Sequence, residues 1–165
     1  MRTLLGLIAL GTVTVLSAGC GGGSGESTCK IQGQVSGAIS WQSDSQDPAC
    51  LIPFGGSTGV EMDFRPLSAS IEQFVVELPT VKKGVTGPVP AQVKVRVADG
   101  RMWSTAAAAC TVTVESNSFV SDEELGQRYQ LEGRGECASA AMPSGTASGT
   151  VTIAPFTFRF PPRFL

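Results

Sequence analysis

Apolar and polar residues alternate along most of this chain with period two. From residue 30 to 41, Ile31, Gly33, Val35, Gly37, Ile39 and Trp41 fall on one face, and Lys30, Gln32, Gln34, Ser36, Ala38 and Ser40 on the other. Successive side chains of a strand point to opposite faces, so this stretch reads as one strand with one buried side. Glycines on its apolar face mark close packing or a bulge. Ser43 to Pro48 breaks the pattern as a polar loop, and Cys50 to Phe54 is a short apolar return. Val60, Met62 and Phe64 alternate again up to Pro66. Residues 67 to 78 also fit a helical stripe, but Phe74, Val76 and Leu78 satisfy a strand, which we assign from Ile71 to Leu78.

The second half follows the same rule. Val81 to Pro90, with two lysines, two glycines and two prolines, reads as a loop. Val93, Val95 and Val97 lead into Asp99-Gly100 and on to Met102-Trp103, which predicts a hairpin with positive φ at both turn residues. Cys110, Val112 and Val114 face in against Thr111, Thr113 and Glu115. Beyond a polar loop holding Asp122, Glu123 and Glu124, the partner run is Arg128 to Cys137, with Tyr129, Leu131, Gly133, Gly135 and Cys137 inward. The last strand, Gly149 to Phe160, changes parity at Ala154-Pro155, which predicts a bulge there. Seven or eight strands with polar turns and no fixed repeat predict an all-β domain, an antiparallel sandwich or open barrel. The charged outer faces argue against a membrane barrel, whose outer band is apolar.

The N-terminus is of another kind. A charged start at Arg2 precedes an uncharged apolar run from Leu4 to Leu16, too short for a spanning helix but suited to a secretory signal peptide. It closes on Leu16-Ser17-Ala18-Gly19-Cys20, and Gly21-Gly22-Gly23-Ser24-Gly25 follows. In this the chain resembles bacterial lipoproteins, with residues 16 to 20 similar to a lipobox. Ser17 stands where the family most often has leucine. The resemblance implies cleavage before Cys20, acylation of Cys20, and anchoring in the bacterial cell envelope; Gly21 in place of aspartate favours the outer membrane. Residues 1–19 are then the signal peptide, 20–28 the lipidated cysteine with its Gly/Ser tether, and 29–165 a single β-sandwich-like domain. Acyl chains contribute about 0.8 kcal/mol per buried methylene, enough for stable anchoring by two or three chains. The alternative is an ordinary signal peptide that leaves Cys20 as an odd thiol.

With Cys20 acylated, Cys29, Cys50, Cys110 and Cys137 remain, an even set suited to an oxidising compartment. Four cysteines allow three pairings, of which Cys29–Cys50 with Cys110–Cys137 is the simplest. None has the C-x-x-C spacing of zinc or thiol-exchange sites. Without Arg2 the chain carries 11 Lys and Arg against 14 Asp and Glu, a net charge of −3, with both signs scattered. This gives no basis for nucleic-acid binding.

Chemistry is sparse. The sequence contains no histidine, which removes the usual general base and the commonest metal ligand. Asp44, Asp47 and residues 122 to 124 lie on predicted loops without a calcium-loop spacing, and read as solvated charge. Glu61, Asp63, Glu115, Glu132 and Glu136 fall on polar strand faces, where they serve solubility. Lys82-Lys83 reads as a solvated loop tip. No cofactor, metal or catalytic residue is implied. Trp41 and Trp103, each near a strand end or turn, are candidate platforms for stacking sugars, although both continue apolar sets and read first as core. The expectation is a lipid-anchored, non-enzymatic envelope domain that meets the membrane through its lipid and acts by binding an envelope partner or by structural presence. The alternative is a carbohydrate or small-ligand binding module using Trp41 and Trp103. An enzyme comes third.

Overall fold

The computed structural model describes residues 28–43, 48–51 and 59–165. Among these residues there are fourteen strands and no helix. In chain order they are β1 (Lys30–Gln32), β2 (Gln34–Gly37), β3 (Trp41–Gln42), β4 (Ala49–Leu51), β5 (Val60–Arg65), β6 (Gln73–Leu78) and β7 (Gly87–Arg96). They continue with β8 (Met102–Ser104), β9 (Cys110–Glu123), β10 (Gly126–Cys137), β11 (Met142–Ser144), β12 (Val151–Ile153), β13 (Phe156–Phe160) and β14 (Arg163–Phe164).

The strands form two antiparallel sheets. The larger curls into a half-barrel in the order β1-β13-β10-β9-β7-β6-β5-β4, with β8 beside β7, β11 beside β8 and β14 beside β10. The smaller runs β12-β2-β3. The concave side of the larger sheet is filled by the apolar half of each alternation, for example Val89, Ala91, Val93 and Val95 of β7. Val35, Trp41, Val151 and Ile153 of the smaller sheet join the same core. Aromatic side chains span the curl: Phe160 of β13 meets Phe64 of β5 at 5.5 Å, and Phe156 meets Phe74 of β6 at 5.6 Å, both edge to face. Such pairs add about 0.5–1.5 kcal/mol to what their buried area supplies. Both expected disulfides are present, Cys29–Cys50 and Cys110–Cys137.

Several strands differ from the expectation for identifiable reasons. The alternation over 30 to 41 is three pieces, β1, β2 and β3, because the chain leaves the larger sheet at Gly33 and turns back after Gly37, so that Trp41 pairs with Val35. The parity change at Ala154-Pro155 is a change of sheet, since β12 pairs with β2 and β13 with β1. Residues 87 to 90 belong to β7 despite Pro88 and Pro90. Among the described residues, that half of β7 pairs with β9 alone, and two prolines at alternate positions turn their missing donors toward the edge that has no partner there. At Asp99-Gly100 only the glycine has positive φ, +88°. Gly100 N–H bonds to the Val97 carbonyl at 2.9 Å and Val97 N–H to the Arg101 carbonyl at 3.1 Å, closing a longer loop than the expected two-residue turn. Much of the polar stretch 116 to 127 is strand, because β9 and β10 continue to Glu123 and Gly126 as one long hairpin.

Candidate binding cleft

The cleft begins at a corner. β1 and β13 pair in the larger sheet, β2 and β12 in the smaller, so a two-stranded ribbon leaves one sheet and enters the other at Gly33 and Ala154-Pro155. A side chain at Gly33 would place its Cβ 2.9 Å from that of Phe156, and Pro155 brings no N–H to a place where the ladder is broken. Ala154 N–H still reaches the Gln34 carbonyl at 3.0 Å, so the ribbon stays paired through the bend. Ser43 fixes the other strand: its N–H donates to the Gly33 carbonyl at 2.9 Å, and its Oγ accepts from Gly33 N–H at 3.2 Å. Strands that change sheet through a bend make corners of this kind in sandwiches.

The bend opens a cleft of about 740 Å³ on the outer side. Its floor carries the cross-strand row Gln32, Thr157, Arg134 and Thr113, aligned by the registers Gln32↔Thr157, Arg134↔Thr157 and Arg134↔Thr113. Glu136 and Thr111 form the next row, and Gln34, Gln42 and Ser43 line the wall. Arg134 lies 3.5 Å from Glu115 in an exposed pair, which is worth little in water. Among the described residues, Arg134 and Glu136 bring one charge of each sign, and the other polar side chains of the lining are neutral amides and hydroxyls. Each amide offers both donors and an acceptor, the complement of a hydroxyl group.

Trp41 and Trp103 are not platforms. Trp41 is 8% exposed and packs on Phe74 with centroids 6.4 Å apart. Trp103 is 0% exposed, donates from Nε1 to the Gly149 carbonyl at 3.1 Å, and lies under the Arg101 guanidinium. Neither indole presents a face to stack a sugar, because both continue inward sets of their strands. Alternation places Gln42, next to Trp41, on the cleft wall instead. The residues of the cleft stood in the sequence as the polar halves of ordinary alternations, a signal shared with any solvated sheet face.

Asp63 is a correction. It is buried, not a surface acid, because Arg65 donates to it from Nε at 2.9 Å and from Nη2 at 2.6 Å, and Gln73 Nε2 donates at 2.9 Å. In the acidic run, Asp122 accepts from Gln127 at 2.9 Å, while Glu123 pairs with both Arg128 and Arg163. Burial raises the pKa of the Glu123 carboxyl, but hydrogen bonds from Arg163 and Arg128 outweigh it and leave the pKa below its ordinary value. Asn117 binds the Lys82 and Val85 carbonyls at 2.8 and 3.0 Å, so the Lys82-Lys83 turn is tied to β9. Among the described residues, no three His, Cys, Asp or Glu side chains are grouped to hold a metal. Cys20, Asp44 and Asp47 lie outside the described residues. No helix among the described residues is long and apolar enough to cross a membrane.

No family model matches this chain, and comparison with curated proteins and with solved structures finds no match.

Proposed function

We propose that this protein is a lipid-anchored, disulfide-bonded domain of the bacterial cell envelope that acts by binding, and that the corner cleft takes a neutral, hydroxyl-rich ligand of the glycan class. The observation that carries the ligand class is the cleft lining: Gln32, Gln34, Gln42, Ser43, Thr111, Thr113 and Thr157 converge on one concavity where the two charges found among the described residues cancel. Side-chain amides and hydroxyls both donate and accept, as sugar hydroxyls do, and a neutral site neither attracts nor repels by net charge. Anchoring rests on the lipobox-like Leu16 to Cys20, and favours a ligand met at the envelope surface.

A panel of neutral and charged oligosaccharides titrated onto the protein by calorimetry tests this. A neutral glycan is expected to bind, and Gln34→Ala or Gln42→Ala to weaken it by about 2- to 10-fold each, the range of one lost neutral hydrogen bond of about 0.5–1.5 kcal/mol. Both glutamines are exposed, so neither change disturbs the core. Binding restricted to charged glycans, or neutral binding indifferent to both substitutions, would sink the proposal.

A further inference from the structure

We infer that the free end of the β9–β10 hairpin lies against the phospholipid surface to which the anchor holds the domain; this rests on the lipid-anchored reading above. Phe119, Leu125 and Leu165 are 51%, 50% and 67% exposed. Phe119 meets Tyr129 edge to face at 5.8 Å, and Tyr129 meets Phe164 at 5.3 Å, so an aromatic ladder runs from β9 across β10 to β14. The register Gln127↔Phe164 sets Leu165 beside Gly126, next to Leu125 in the turn. The end is firmly built. Gly126 has φ +123°, and a Cβ there would strike the Phe164 carbonyl oxygen at 2.4 Å, while Glu123 clamps Arg128 of β10 to Arg163 of β14.

The path of the chain directs this end to the membrane. β1 and β10 are each antiparallel to β13 and so run the same way. Read backward from Lys30 to Thr28, the chain therefore heads toward the hairpin tip. Thr28 is held there by Gln130, whose Oε1 accepts from Thr28 N–H at 3.2 Å and whose Nε2 donates to its carbonyl at 3.3 Å. Gln130 is four residues from Gly126, about 13 Å at the rise of a strand. Cys20 to Ser27 is eight residues, and a chain of that length reaches at most about 28 Å. The acyl chains and the apolar tip thus reach one bilayer plane. The tip has three acids, Asp122, Glu123 and Glu124, against two guanidiniums, Arg128 and Arg163. Its contact is therefore apolar, to zwitterionic phospholipid, and not a charge attraction to anionic lipid.

The test uses the full chain purified from membranes and reconstituted into phosphatidylcholine liposomes. Leu125→Trp adds an indole at the tip, and Met142→Trp one on β11, which follows the Cys137 end of β10 remote from the tip and where Met142 is 59% exposed. With nitroxide-labelled phospholipid, the emission added by Leu125→Trp is expected to shift to the blue and be quenched. That added by Met142→Trp stays unquenched, and the buried native indoles supply a constant baseline. Quenching unaffected by salt supports the apolar contact. In a second set of liposomes that also contain phosphatidylglycerol, contact found only there and lost in salt overturns it. Protein that floats with the liposomes while the Leu125→Trp emission stays unquenched overturns the tip contact and leaves the anchor standing. A blue shift without lipid that grows with protein concentration assigns the patch to a second copy and overturns the lipid assignment. A Cys20→Ala chain retained by cell membranes as fully as the wild type refutes the anchor, and the tip contact with it.

Discussion

At Gly135 a Cβ would lie 2.2 Å from Phe156 Cζ and 2.7 Å from its Cε1 and Cε2, so the ring occupies the space a side chain would need. Gly133 is as restricted, its Cβ position being 2.3 Å from the Thr113 carbonyl oxygen and 3.0 Å from Phe158 Cζ. Glycine weakens a strand interior unless something fills its place, and here rings of β13 lie over β10 at the registers Gly135↔Phe156 and Gly133↔Phe158. Gly135→Ala is expected to displace Phe156 from Phe74 and cost about 1–3 kcal/mol in denaturant unfolding, as overpacked cores do. Phe156→Leu in the same chain should return part of that loss, a coupling a double-mutant cycle reads directly. Strictly additive losses would show that the ring is not what excludes the side chain. The inward parity of these glycines is legible in the sequence, because alternation assigns a face. What covers a face is not legible. Asp63 stands on the polar side of β5, yet it is buried beneath Arg65 and Gln73, long side chains whose reach over it depends on their rotamers.

The β9–β10 hairpin shows the same limit at the scale of an element. Its register shifts between Arg128 and Tyr129 and between Glu132 and Gly133, leaving Val120 and Glu115 as extra residues on β9. Each bulge reverses the parity of the strand, so Asn117 is buried although its odd number places it outward when counted from Val112 and Val114. Uniform alternation ends at Glu115 for that reason, and the remainder resembles a polar loop. The tip is held by Glu123 and its two arginines, which makes it sensitive to acid. With its pKa lowered in the fold, Glu123 contributes stability that is present in full above its ordinary pKa and is lost as pH falls through the lower folded value. Hydrogen exchange is expected to show protected amides over 119 to 127 at about pH 6 and weakened protection at about pH 3, below the ordinary glutamate value near 4.3. Glu123→Gln should weaken the tip at both pH values and remove most of the difference between them, with the β7 amides unaffected. Equal tip protection of the wild type at the two pH values would mean that the clamp does not hold the hairpin.

In the whole molecule the two disulfides have different roles although they close similar loops. Their sequence separations are 21 and 27 residues, each worth roughly 3 kcal/mol by chain-entropy reasoning. Cys110 and Cys137 are direct register partners in a hairpin that its own ladder already joins. Cys29 immediately precedes β1 and Cys50 lies in β4, the first and last strands of the larger sheet, and their Cα atoms are 5.8 Å apart. Among the described residues the two edges of the half-barrel are not strand partners, so that bond is what joins them, and it holds β5 near β13 where Phe64 meets Phe160. The pairing was legible from cysteine order; its role was not, because β1 and β4 are near neighbours in the chain and opposite edges in the sheet. Replacing Cys29 and Cys50 by alanine should lower stability, loosen the amides of β1 and β4, and open the seam enough for a hydrophobic dye to bind at neutral pH. Replacing Cys110 and Cys137 should cost a comparable free energy without dye binding, since the hairpin ladder and the seam both stay closed. If the two double variants differ neither in dye binding nor in edge-strand exchange, hydrophobic packing alone closes the barrel, and the bond between its edges acts only on the unfolded chain.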